Sequence, residues 1–163
     1  MIETGVRAVV IAAFMIVGSP LSADGSAANA AAPATLAPSA RGAAATVDAF
    51  HAALHRGDTR AAAALLADDA LIFETGGAER TKAEYAVHHL PADAEFSRSV
   101  SSVVTRRAGR SDGALAWIAT EGRTTGTYKG KALDLLTTET MILRGAGGVW
   151  KIAHIHWSSA AKR

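Results

Sequence analysis

The sequence predicts an α+β domain in which helices come first and a curved antiparallel sheet, covered by those helices on one side, comes last. Three observations carry the expectation. Apolar residues recur at helical spacing in three stretches between Ala43 and Leu90. Four long segments with strand character follow, at 96–105, 114–125, 132–144 and 149–158. Glycine-bearing turns join those segments, at 109–113, 128–130 and 145–148, and no internal repeat interrupts the order.

Taken from the start, Arg7 precedes the apolar run 8–17, Gly18 and Pro20 break it, and Leu21-Ser22-Ala23 offers a small residue for cleavage. That is the order of a secretory signal peptide over 1–23, and the run falls short of the ~20 apolar residues of a membrane span. Export to the periplasm or outside the cell is the expectation, with no membrane attachment after cleavage. Residues 24–42 are mostly Ala, Ser, Pro and Gly, with Leu36 the one large apolar side chain, and read as a disordered linker before a domain over 43–163. The chain has no cysteine, so no disulfide framework is available. Its 17 basic and 15 acidic residues are spread along 163 positions, a balance that gives no footprint for nucleic acid. The short group Arg106, Arg107 and Arg110 reads as a solvated hairpin end.

Val47, Phe50 and Leu54 define the first helix, and Gly57 suits its left-handed C-cap. Asp58 caps a second helix over 59–67, whose alanine run favours it. Residues 70–74 read as a short buried strand leading into the Gly76-Gly77 turn. A third helix over 80–90 ends at Pro91, with Ala83, Ala86, Val87 and Leu90 as its apolar stripe and Glu84, Tyr85, His88 and His89 beside it.

The segment LLADDALIFETGG at 65–77, followed by a helix and a long-stranded meander ending in GGVWKIAHIHWSS at 147–159, resembles the nuclear-transport-factor-2-like superfamily and, within it, the SnoaL-like group. ERTKAEYAVHHLPAD at 79–93 and GTYKGKALDLLTTETMILR at 126–144 support the resemblance. It implies a cone-shaped half-barrel with three N-terminal helices enclosing a pocket against the concave sheet, commonly dimeric through the other sheet face. Its members include isomerases, cyclases, dehydratases and non-catalytic modules, so it does not fix the function. No catalytic residue of the ketosteroid isomerase members is carried over.

Strand alternation puts Trp150, Ile152, His154, His156 and Ser158 on one face of the last strand. A four-residue turn over 145–148 sets Leu143 beside Trp150, Met141 beside Ile152, Glu139 beside His154 and Thr137 beside His156. A three-residue turn over 128–130 sets Ala119 beside Glu139, Glu121 beside Thr137 and Trp117 beside Met141. Glu139 and Glu121 with His154 and His156 then form a candidate proton shuttle, because a carboxylate beside an imidazole fixes its tautomer and raises its basicity. Trp117, Met141, Ile152, Thr137 and Tyr85 would line the pocket around a small, largely apolar ligand, with isomerase-like or dehydratase-like chemistry. No cofactor is required by this reading. A second reading takes His154, His156 and His88 or His89, with Glu74, Glu121 or Glu139, as ligands for zinc or copper. A third is a non-catalytic dimeric interaction module in which buried polar groups merely satisfy one another. Trp157, on the face opposite the histidines, is assigned to a dimer interface, Trp150 to the core, Tyr128 to a hairpin end, and His51 and His55 to a solvent-facing strip.

Overall fold

The structure, a computed structural model, describes residues 35–162. The expected signal peptide and the linker up to residue 34 lie outside the described residues. The rest of that linker is structured: Leu36 bridges to Gly109 in parallel, a 3-10 turn spans Pro38–Ala40, and Ala40 is wholly buried. Packing therefore begins before residue 43, because Leu36 has an apolar surface to meet.

Helix α1 (Arg41–Arg56) buries Ala43, Val47, Phe50 and Leu54 along one stripe and stops at Gly57, whose φ of 74° no β-carbon obstructs. Asp58 Oδ1 accepts from Ala61 N at 2.9 Å and starts α2 (Thr59–Leu65). Strand β1 (Leu66–Glu74) and the short β2 (Gly77–Glu79) form a hairpin, and α3 (Lys82–His88) follows on the Thr81 cap. The expected third helix is two helices. Pro91 sits in the first turn of α4 (Leu90–Ser99), where its missing N–H costs nothing, so the proline starts a helix as well as ending one. The strand expected from residue 96 accordingly begins only at Val100. On α3 the buried side chain is Tyr85, while Val87 is exposed.

Strands β3 (Val100–Asp112), β4 (Leu115–Tyr128), β5 (Lys131–Ala146) and β6 (Val149–Ala161) form the long meander. The sheet order is β2-β1-β6-β5-β4-β3, and β1 joins β6 in parallel, so the curved sheet is mixed. The core lies between α1 and the concave face, where Ile118, Met141, Leu143, Ile152 and Ile155 are fully buried. Among the described residues no helix is long and apolar enough to cross a membrane.

The hairpins are tighter than the sequence reading allowed, and this moves the register. Tyr128 pairs with Lys131 across a two-residue turn in which Lys129 and Gly130 both have positive φ. Trp117 therefore faces Ile142 and Glu121 faces Thr138, one residue off the expected pairing, which turns both to the convex side. Ala146 pairs with Val149 across Gly147-Gly148, again at positive φ. That is a shift of two from the expected register, so Leu143 meets Ile152 instead of Trp150, and both still face inside. A bulge then inserts Ala153 between the pairs Leu143–Ile152 and Ile142–His154 and inverts the remainder of β6. Ile155 and Trp157 turn in, and His154 and His156 turn out.

Candidate functional site

A cavity of about 670 Å³ lies between the concave sheet and helices α1 and α4. One cross-strand row forms the inner part of its floor. Arg107 on β3 pairs with Thr120 on β4, Thr120 with Glu139 on β5, Glu139 with Trp157 on β6, and Trp157 with Glu74 on β1. Neighbouring members are one strand spacing apart, ~4.8 Å. All five side chains line the cavity.

Glu139 is the centre of the row and is 8 % exposed. Its Oε2 takes a hydrogen bond from the Trp157 indole N–H at 2.7 Å and lies 2.7 Å from His51 Nε2 on α1. Its Oε1 is buried and has no hydrogen-bond partner. Burial alone would raise the Glu139 pKa. The His51 contact, the Trp157 N–H and the charge of Arg107 outweigh it, so the group is held below the usual carboxylate range. One helical turn before His51, Asp48 Oδ1 meets Arg107 Nη1 at 2.5 Å, and Arg107 Nε donates to Thr120 Oγ1 at 3.3 Å. The indole of Trp157 stacks on Phe50 at 6.3 Å, which fixes the donor that Glu139 uses.

Glu74 marks the other end of the row, at the cavity mouth. Its pKa is pushed up to about 7, first by the protein around it and then by the charge of Asp93, with His89 opposing and Glu79 adding; water reaching this exposed carboxylate tempers the shift. Asp93 on α4 is raised as well, by burial, although it accepts a hydrogen bond from the Tyr85 hydroxyl at 2.6 Å. The Tyr85 hydroxyl is raised in turn by burial and by Asp93. Beside them Glu79, buried, pairs with His89.

The sequence-derived site residues divide among three places. Glu139 and Thr137 line the cavity. Met141, Ile152 and Tyr85 are fully buried in the core. The others lie outside. Glu121 is exposed on the convex face, 3.8 Å from Arg106, and Trp117 is 41 % exposed there. His154 meets the Leu71 carbonyl through Nδ1 at 2.8 Å, and His156 stands exposed beside the Phe73 ring. The expected contacts of Glu139 with His154 and of Glu121 with either histidine do not form, because the bulge and the one-residue slip carry these groups to the other face. His88 is exposed at the end of α3, apart from both. Among the described residues no group of three His, Asp or Glu side chains is arranged to hold a metal ion.

Two residues given other places belong to the site. Trp157, assigned to an interface, faces inward and holds Glu139. His51, assigned to solvent, is the partner of Glu139, while His55 instead meets the Ser97 carbonyl at 3.0 Å. The Gly147-Gly148 pair was the available signal for the tight turn; nothing comparable announces the Ala153 bulge.

The family of SnoaL-like domains matches residues 43–162. Among solved structures, a candidate ketosteroid isomerase from Shewanella frigidimarina is 36 % identical, with 72 % of this chain and 94 % of that one covered at a TM-score of 0.69. A candidate calcium/calmodulin-dependent protein kinase II association domain from Xanthomonas campestris is 25 % identical over 80 % of this chain and 95 % of that one, at 0.64. A nuclear-transport-factor-2-like protein of unknown function from Pseudomonas putida, 19 % identical over 71 % and 82 %, shares the fold at 0.60. No functionally curated protein matches the chain.

Proposed function

The chain belongs to the family of SnoaL-like domains, and on that premise we propose that its cavity binds a small molecule with a largely apolar body and that Glu139 exchanges a proton with it. The observation that carries this reading is Glu139 itself, a carboxylate in the wall of a cavity of about 670 Å³ whose buried Oε1 has no hydrogen-bond partner among the described residues. Buried polar atoms are ordinarily paired, and an orphan at a cavity wall is an acceptor waiting for a donor. His51 and Trp157 fix Oε2, so the carboxylate has one orientation and one free lone-pair set. Held ionised at neutral pH, it can act only as a base at first, and a weak one. It therefore suits a proton that the substrate already acidifies, such as one on carbon between a carbonyl and a double bond. The proton moves to the Glu139 carboxylate, the electron pair moves into the conjugated system, and return of the proton to a second carbon within reach completes an isomerisation. The likeness to a candidate ketosteroid isomerase supports this class of chemistry.

The test is incubation of the purified chain with a β,γ-unsaturated cyclic ketone in heavy water, followed by NMR. Deuterium should enter the acidified carbon, at a rate at least ~100-fold lower for Glu139→Gln, in the range that a positioned base contributes. Equal rates for the two proteins, or no exchange by either, would remove the proton-transfer reading.

A second reading, a dimeric module, has its own observation. Trp117, Val103 at 61 % and Leu136 at 51 % exposure leave apolar surface on the convex face, and an association domain is among the similar structures. Sedimentation should then give a dimer that Trp117→Arg dissociates. A monomeric parent protein would dispose of it.

A further inference from the structure

The geometry points to a ligand that carries an amine, with its ammonium group held at one side of the cavity by Glu74 and Asp93. This deepens the reading above and rests on the same cavity being a ligand site. The argument begins with the charges that line it. Four carboxylates do so, Asp48, Glu74, Asp93 and Glu139, against one guanidinium, Arg107. That guanidinium is already engaged, with Nη1 on Asp48 and Nε on Thr120, and offers little to an anion. Glu139 is compensated by His51 and the indole N–H. Glu79 and His89, outside the cavity lining, answer each other. What remains is Glu74 and Asp93, two acids on one side of the cavity whose one hydrogen-bond donor is the Tyr85 hydroxyl on Asp93.

Such a pair of acids is the environment a cation seeks. An ammonium there gains two carboxylates, whereas an anion meets repulsion from both. Glu139, which lines the same cavity two strands away and whose buried Oε1 has no partner among the described residues, is an independent sign that something with a donor belongs there. Two strand spacings separate Glu74 from Glu139 by about 10 Å at the backbone, so the two can serve different atoms of one ligand. Glu74 and Asp93 take the nitrogen, and Glu139 takes the acidic hydrogen. Beyond Glu139, Leu135 lies four residues farther along β5, ~13 Å, with Phe96 and Leu54 also lining the wall there. The far end of the ligand is apolar where Leu135, Phe96 and Leu54 stand, with Thr137 between Leu135 and Glu139, as in an arylalkylamine or an amine on a small ring system.

Calorimetric titration of the purified full chain at pH 8 with three matched probes tests this: a phenylalkylamine, the phenylalkanol and the phenylalkanoate of the same length. The amine should bind at least about fivefold more tightly than the alcohol, the discrimination a half-solvated ion pair supplies, and the carboxylate should bind weakest. Glu74→Gln, at an exposed position that should tolerate the change, should bring amine and alcohol to within about twofold of each other. Glu121→Gln, on the exposed convex face, should leave the preference for the amine in place. Equal binding of amine and alcohol, tighter binding of the carboxylate, an unchanged preference in Glu74→Gln, or no binding of any probe would each overturn the inference. Glu139-dependent deuterium exchange on the neutral ketone, seen together with any of these, would leave the proposed function standing without it.

Discussion

Replacing His51 by leucine asks whether the imidazole keeps Glu139 charged inside the protein. Glu139 is 8 % exposed, and burial pushes its pKa up; His51, at 2.7 Å, is the largest of the influences that reverse the push. Removing one partner of a fully buried charge pair costs about 3–5 kcal/mol. The His51 side chain is 42 % exposed, so water can replace part of what it gave, and a loss of about 1–3 kcal/mol is the better expectation. The assay is urea denaturation of the parent protein, His51→Leu, Glu139→Gln and the double variant, with a coupling of about 1–2 kcal/mol expected between the sites. The pH dependence supplies the sign. With its folded pKa depressed, Glu139 stabilises the parent above its unfolded pKa of about 4.3, and that contribution is lost as pH falls through the folded value. In His51→Leu burial dominates, the folded pKa rises above the unfolded one, and the charge costs stability at neutral pH. The gap between the two proteins should be widest near pH 7 and narrow toward pH 4. A coupling below about 0.5 kcal/mol, or a gap independent of pH, would refute the reasoning.

Three further outcomes follow from the same structure. Glu74, whose folded pKa is raised to about 7, favours the folded state below its unfolded pKa and ceases to do so as pH rises through 7; Glu74→Gln should therefore melt higher than the parent at pH 8 and no differently at pH 4 in thermal scans. A β-carbon on Gly145 would stand 2.9–3.0 Å from the Trp150 ring, whose other contacts include Gly42 on α1, so Gly145→Ala should lower stability in urea by about 1–3 kcal/mol. The full chain expressed in a bacterium with a secretion pathway should be recovered outside the cytoplasm with a new N-terminus near residue 24, read by mass spectrometry; recovery of the intact chain from the cytoplasm would count against export.

How much of this could be read from the sequence depended on whether the signal was local. Gly57 and Asp58 carry the first helix boundary in their own chemistry, one by adopting φ 74° and the other by accepting from Ala61 N, and both were legible. The strands of the meander and β1 were legible too, since apolar runs mark them, whereas the three-residue β2 was not. The faces beyond the hairpins were not, because a strand's orientation is inherited from the turn before it and from any bulge along it. Lys129 adopts a positive φ that a lysine does not advertise, and this alone moved Trp117 and Glu121 to the outside. Glu139 kept its inward place because Leu143 and Ile152, ahead of the bulge, face the same way in either register.

The Ala153 bulge exchanges one candidate site for another. Without it, strict alternation from Ile152 would carry His154 and His156 inward and leave Trp157 outside. With it, Ile155 continues the core that Ile152 begins, and the next inward position brings an indole N–H to Glu139. The same inversion places Trp157 where Phe50 of α1 can stack on it, and His51, the following residue of that helix, reaches the same carboxylate. Helix and sheet thus meet through a carboxylate that each side holds by its Oε2, and the geometry that fixes Oε2 leaves Oε1 buried without a partner among the described residues. A carboxylate needed only to join helix to sheet would be better served with both oxygens bonded, since an unsatisfied buried acceptor costs about 1–3 kcal/mol. That unrecovered cost is the physical reason for assigning Glu139 to a ligand rather than to the scaffold alone.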